Sequence, residues 1–238
     1  MEKFKRSDFI HHNETAISRS IREVVFGVED GMVSTLGALT GIAVGTNNPN
    51  VVILAGFVII AVESVSMGVG SYLSNKSAKE LDDRKLFEEK IELVEAPETE
   101  REELELMYIQ DGWPHELAET MAMRASRDKN LFLKEMAHHE LGVFPGKQHK
   151  AIHKGFFMFI SYIVGGIIPV APYLLIPLNS ALGVSLAVTL VGLFVLGVFT
   201  TKFTKRLWWK AGSEMLVLAS AAALIGYVVG TVAERIIN

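Results

Sequence analysis

The amino-acid sequence predicts an all-α integral membrane protein: five transmembrane helices with a charged cytoplasmic helical insert between the second and third. Three observations predict it. The 238-residue chain is 50% hydrophobic, with a mean hydropathy of +0.31. Its charge is concentrated, residues 76–154 holding 13 of the 23 Lys and Arg and 18 of the 27 Asp and Glu. Elsewhere it carries apolar stretches of about twenty residues, the length needed to cross a ~30 Å hydrocarbon core in which backbone groups find no outside partner.

The spans follow in order. Ile21–Thr46 is apolar in its second half, Met32–Thr46, and carries Arg22, Glu23, Glu29 and Asp30 in its first. Val51–Gly70 contains one charge, Glu63, and Phe156–Ile176, Ala181–Thr201 and Met215–Ala233 contain none. Lys and Arg gather in the N-terminal arm, in the insert and at Lys202, Lys205, Arg206 and Lys210, while the connections 47–50 and 177–180 have none. Cytoplasmic flanks are enriched in these residues, so the N-terminus and insert are expected inside and the C-terminus outside. Residues 1–20 have no apolar core or small-residue cleavage site and read as an arm, not a signal peptide. The organisation is therefore an arm over 1–20, two spans over 21–73, the insert over 74–150 and three spans over 151–238. Small residues at Gly27/Gly31, Gly37/Gly41/Gly45 and Gly226/Gly230 favour close helix approach. An odd number of spans cannot form two equal inverted halves, so any symmetry requires a second copy, and a homodimer is expected.

Within the insert, 71–94 contains no Pro and continues the second helix to the Pro97 break. Further helices are expected over about Thr99–Gln110, His115–Ser126 and Lys129–Leu141, the last capped by Asp128 and stopped by Gly142.

Several function classes drop out. The chain has no cysteine, which excludes disulfide scaffolds, thiolate metal sites and thiol catalysis. It has no basic stripe for nucleic acid, no phosphate loop for direct ATP use and no recognisable Ser-His-Asp arrangement.

Ionisable groups inside spans are functional candidates because insertion costs roughly 2.5–3.5 kcal/mol each. Glu23 and Asp30 stand seven apart on one face of the first helix, and Glu63 and Met67 stand four apart on the second. With no Lys or Arg deep in a span, such carboxylates take up a proton or a cation, which is the basis of exchange. A thioether beside carboxylates tilts the ion toward a first-row transition metal such as Fe²⁺. In the insert, Glu89/Glu92, Glu100/Glu103 and Met136/Glu140 share helix faces and either converge on an ion or form ordinary solvated faces. Glu135-x-x-His138 is a half-motif of di-iron carboxylate bundles, with His139 as a spare ligand; it leaves a membrane-anchored ferroxidase as an alternative, and a metal sensor as another.

Four runs in order, Arg22-Glu-Val-Val-Phe-Gly-Val-Glu-Asp30-Gly-Met-Val-Ser-Thr, Glu63-Ser-Val-Ser-Met67-Gly-Val-Gly-Ser-Tyr-Leu73, His139-Glu140-Leu-Gly142 and Tyr162-Ile-Val-Gly-Gly166-Ile-Ile-Pro169-Val-Ala-Pro172-Tyr173, resemble the vacuolar iron transporter family. The resemblance implies a five-helix homodimer that exports Fe²⁺, and often Mn²⁺, from the cytosol in exchange for protons, with no prosthetic group. It implies that Asp30 and Met67 line the path at the dimer interface, and that Glu89, Glu92, Glu100, Glu103, Met136 and Glu140 bind metal. Where members can carry a second Met after the position of Met136, this chain has Ala137, followed by His138 and His139. Glu63 and Glu23 are read from their facing as the proton-exchanging acids. The expected location is a plasma membrane in a prokaryote or a vacuolar membrane in a eukaryote.

Overall fold

The computed structural model of the chain describes residues 20–143 and 150–237, so the arm expected over 1–20 lies outside the described residues save for Ser20. Among the described residues every regular element is a helix. In order these are α1 (Ile21–Thr46), α2 (Pro49–Glu95), α3 (Pro97–Gln110), α4 (His115–Ser126), α5 (Lys129–His139), α6 (Ala151–Leu175), α7 (Leu178–Thr204) and α8 (Trp208–Ile237). The chain divides into two compact units, one of residues up to 72 and from 151, the other of residues 73–150. The 47-residue α2 contributes to both.

Local chemistry sets the boundaries. α1 ends on Asn47, left-handed at φ 45°, a conformation Asn tolerates better than most residues. Asn48 Oδ1 then accepts the N–H of Asn50 at 3.0 Å at the start of α2. Pro97 opens α3 in the first turn, where its missing N–H costs nothing, and Gly112 at φ 98° makes the turn to α4. Asp128 caps α5 by accepting the N–H groups of Asn130 and Leu131 at 2.9 and 3.2 Å. α5 stops at His139, short of the expected Leu141. Glu140 is its C-cap, Gly142 turns at φ 63°, and the Val143 N–H bonds back to the Ala137 carbonyl at 2.8 Å.

In the first unit α1 is clasped from two sides. A Cβ at Gly27 would sit 2.8 Å from Ser161 Cβ of α6, and one at Gly31 would collide with the Tyr162 carbonyl. On another face Gly37, Gly41 and Gly45 meet Ala222, Gly226 and Gly230 of α8. All three glycine spacings singled out from the sequence make close helix contacts inside one chain. Apolar clusters fill the remainder, one around Leu39, Val52, Ile60, Val170 and Tyr173, another around Met32, Leu193 and Ala219. Pro169 and Pro172 lie inside α6, and Ser185 of α7 donates to the Pro169 carbonyl at 2.7 Å. α7 closes on Lys205 at φ 55°, a left-handed position costing a non-glycine residue roughly 1–2 kcal/mol.

Among the described residues four helices, α2, α6, α7 and α8, are long and apolar enough to cross a membrane. The 26-residue α1 is not counted with them; Glu29, Asp30 and its run of Gly and Thr lower its hydropathy. The second unit packs α3, α4 and α5 around Leu104, Tyr108, Ala118, Ala122, Phe132 and Met136.

Because a Cβ at Gly226 would strike the Gly37 backbone, Gly226→Ala is expected to destabilise the protein by about 1–3 kcal/mol. Gly183→Ala, where a Cβ meets nothing, is expected to leave the melting midpoint in detergent unchanged or slightly raised. Equal midpoints for the two variants would contradict the α1–α8 packing.

Candidate functional site

Three helical elements of the second unit each deliver one carboxylate to a common point. Glu89 of α2, Glu100 of α3 and Glu140 at the end of α5 offer oxygens that all lie within 4.8 Å of one another. Glu89 and Glu100 are only 2% and 7% exposed. Glu89 Oε1 and Glu100 Oε2 are buried without a hydrogen-bond partner. Among the described residues no Lys or Arg pairs with any of the three. The nearby Arg101 is engaged by Glu98 at 3.1 Å, Glu105 at 3.7 Å and Glu102 at 3.9 Å.

The electrostatic consequence is direct. Burial, then Glu140, Glu100 and Glu92, push the Glu89 carboxyl up to about 8. Burial and the charges of Glu103, Glu92 and Glu140 raise Glu100 likewise. Glu92 and Glu103 are themselves exposed and stand outside the close triad while acting on it. Side-by-side carboxylates with orphaned buried oxygens hold either protons or a cation, and the oxygen donors suit a divalent ion. Met136, one turn before Glu140, is fully buried in the apolar cluster with Leu104, Tyr108 and Phe132.

The residues of the di-iron alternative do not join this triad. Glu135 Oε2 accepts the Tyr108 hydroxyl at 3.1 Å. His139 spans two acids, its Nδ1 2.9 Å from Asp111 Oδ2 and its Nε2 3.6 Å from Glu135 Oε2, with the Tyr108 ring edge-on at 5.0 Å. His138 is exposed and stacks on His139 at 4.8 Å. Among the described residues Glu135, His138 and His139 therefore lie outside the one carboxylate group able to hold a metal. Sequence reasoning missed Tyr108 and Asp111, which no spacing ties to Glu135 and His139.

In the first unit Asp30 of α1, Glu63 of α2 and the Tyr162 hydroxyl of α6 are electrostatic neighbours. The hydroxyls of Ser34 and Tyr162 share a 2.6 Å hydrogen bond, and Ser34 Oγ lies 2.6 Å from the Asp30 carbonyl, to which it donates. Asp30 also stands at one end of a groove of about 640 Å³ between α1 and α8, otherwise lined by small and apolar residues such as Gly37, Gly41 and Gly226. Glu63 is exposed on α2; Met67, one turn on, is half-buried. Tyr162 was visible in the sequence only as one member of a motif, since an uncharged residue in an apolar span raises no alarm. Glu23 differs from the other acids. It is 2% exposed with Arg22 at 3.5 Å and Lys154 of α6 at 3.7 Å. The sequence showed no cation deep in a span, but Lys154 precedes the apolar part of its helix and reaches Glu23 from there.

A profile of the VIT family matches residues 21–231. The chain belongs to the VIT family. It is 31% identical to vacuolar iron transporter 1 of Arabidopsis thaliana, over 98% of this chain and 92% of that protein. It is 30% identical to vacuolar iron transporter 1 of Tulipa gesneriana over 87% of this chain and 81% of the relative. It is also 25% identical to the vacuolar iron transporter of Plasmodium falciparum (isolate 3D7), over 97% and 90%. Both acid groups of this VIT chain, the triad of the second unit and the Asp30–Glu63 pair of the first, fall inside the matched stretch.

For Glu89 the sign of the pH effect is fixed. The unfolded chain releases this proton near 4.5 and the folded, metal-free protein holds it to about 8, so metal-free stability falls as pH rises through that window. Adding Mn²⁺ at neutral pH to weakly buffered protein is expected to release protons, read with a pH dye, and to restore thermal stability. Glu89→Gln is expected to abolish both effects; unchanged proton release in that variant would remove Glu89 from the site.

Proposed function

We propose that this chain is a proton-coupled exporter of Fe²⁺, with Mn²⁺ as a second substrate, moving metal out of the cytosol. The observation that carries the reading is the triad of buried Glu89 and Glu100 with exposed Glu140, which has no Lys or Arg partner among the described residues, in a member of the VIT family. A metal must displace protons from these carboxylates to bind, so the triad loads metal when cytosolic ion is abundant and returns to its protonated form when it is scarce. Glu92 and Glu103 add negative potential around it, and Met136 is the soft donor of the set implied by the resemblance. In this reading the triad collects ions for Asp30 and Met67, while Asp30 and Glu63 exchange protons. Glu23, paired with Arg22 and Lys154, holds α1 against α6.

The membrane body in this proposal has five spans, α1, the first half of α2, α6, α7 and α8, with the N-terminus and residues 73–150 on the cytosolic side and the C-terminus outside. α1 qualifies through packing: its acidic first half faces α6 and the groove, and its glycine face is covered by α8. A homodimer is supported by α2. That helix exposes the Glu63 carboxylate, on the side of the helix away from its exposed apolar stripe of Leu54, Val58 and Val65. A carboxylate facing lipid costs roughly 2.5–3.5 kcal/mol, a cost a second copy over this face would remove. The membrane is the vacuolar one in a eukaryotic host and the plasma membrane in a prokaryotic one.

The test is metal flux into proteoliposomes with Fe²⁺ or Mn²⁺ outside and a pH dye inside. Metal uptake coupled to proton exit is expected, and Asp30→Ala is expected to lower it by roughly tenfold or more, the scale on which metal-site residues act, with Mn²⁺ binding to the triad retained. Absence of flux under every proton gradient, despite metal binding, would overturn the exporter reading.

A further inference from the structure

The turn joining α7 to α8 carries more charge and more exposed aromatic surface than a helix connection requires. Between Lys202 and Lys210 stand four cations, Lys202, Lys205, Arg206 and Lys210, and no acid. Among the described residues only Arg206 of these four has a carboxylate partner, Glu214. Lys202 and Lys210 instead lie over aromatic rings, 5.5 Å from the centre of Phe199 and 5.6 Å from that of Trp209. Phe203, Leu207, Trp208 and Trp209 are all exposed, with Trp208 edge-on to Phe194 at 6.2 Å.

Lys205 is the least expected member. It holds the left-handed C-cap of α7 at φ 55°, where Gly or Asn would sit with less strain. Positive charge near a span end sets orientation, but a charge on either side of the cap serves that purpose equally well. Lys202, in the last turn of α7, already complements the helix C-terminus. Neither role calls for a lysine at the strained position. Three lysines with no carboxylate partner among the described residues, beside two indoles of the type that settles at headgroup depth, are matched by a ligand with a negative head and an apolar tail.

We propose that residues 202–210 form a binding site for the headgroup of an anionic phospholipid. Lys202, Lys205 and Lys210 supply the charge, and Trp208 and Trp209 seat beside the lipid at ester depth. A zwitterionic headgroup competes poorly because its ammonium meets the same cations. The inference rests on the membrane reading and not on metal transport, so a failed flux experiment leaves it standing.

The test uses full-length protein carrying Trp113→Phe, so that of the three tryptophans only Trp208 and Trp209 report. It is reconstituted in vesicles containing brominated phosphatidylglycerol or, at equal mole fraction, brominated phosphatidylcholine, and tryptophan quenching is measured. Preferential quenching by phosphatidylglycerol is expected, falling about fivefold per lysine removed. The triple variant Lys202→Gln, Lys205→Gln, Lys210→Gln is expected to quench equally with both lipids. Lys205→Gly relieves the strained cap, so it is expected to melt no lower than the parent while losing about fivefold in preference, which separates charge from folding. Equal quenching by the two lipids in the parent protein, or an unchanged preference in the triple variant or in Lys205→Gly, would overturn the proposal.

Discussion

Backbone-to-backbone contact along α1 is the constraint on which the first unit depends. Glycines on one side let α6 approach until Gly31 lies under the Tyr162 carbonyl, and glycines on another bring α8 against Gly37, Gly41 and Gly45. Membrane helices gain nothing from burying apolar side chains away from water, so close van der Waals contact between backbones replaces the hydrophobic effect as the source of specificity. That contact puts the Tyr162 hydroxyl beside Ser34 and near Asp30, and ends the α1–α8 groove at the same acid. A side chain in the α1–α6 contact would separate the helices and dissolve this neighbourhood.

The second unit follows a different logic. Its helices are short, and an ordinary apolar cluster built from Leu104, Ala118, Ala122 and Phe132 holds them together. Against that cluster stands a group of carboxylates, two of them buried, whose mutual repulsion opposes folding at neutral pH. The His139 bridge between Asp111 and Glu135 and the hydrogen bond from Tyr108 tie the end of α5 to the end of α3. Glu140 follows His139 directly, so this tie fixes the end of the helix that carries the third carboxylate. Stability is thereby set against an electrostatic cost that a bound divalent ion would relieve.

The two acid groups differ in how they meet their environment. The triad has orphaned oxygens on buried Glu89 and Glu100, with Glu140 open to water beside them. Asp30 stands near the Ser34 and Tyr162 hydroxyls at the end of the α1–α8 groove, while Glu63 is exposed on α2. Glu23 shows the contrast within a single helix: seven residues before Asp30, it has Arg22 and Lys154 beside it and is a tether between α1 and α6.

The sequence by itself determined the helical class, the charged segment and most helix boundaries, because these rest on signals a few residues wide. Pro97 after an unbroken run, Asp128 before Lys129, Gly142 after the last helix of the insert and uncharged stretches of twenty residues each act locally. It also put Glu89, Glu100 and Glu140 among a larger set of acids, since helical spacing shows which residues share a face. Only the tertiary structure decided which acids meet. Glu92 and Glu103 share the spacing of their neighbours but stay outside the close triad, and the choice depends on how three helices rotate against one another. Likewise the glycine spacings announced close contact without naming the partner, which proved to be α6 and α8 of the same chain. His139, a candidate ligand by residue type, became a bridge because Asp111, at the end of α3, was folded onto it beside Glu135 of its own helix. Partner identity is a long-range property, set by packing that no local pattern encodes.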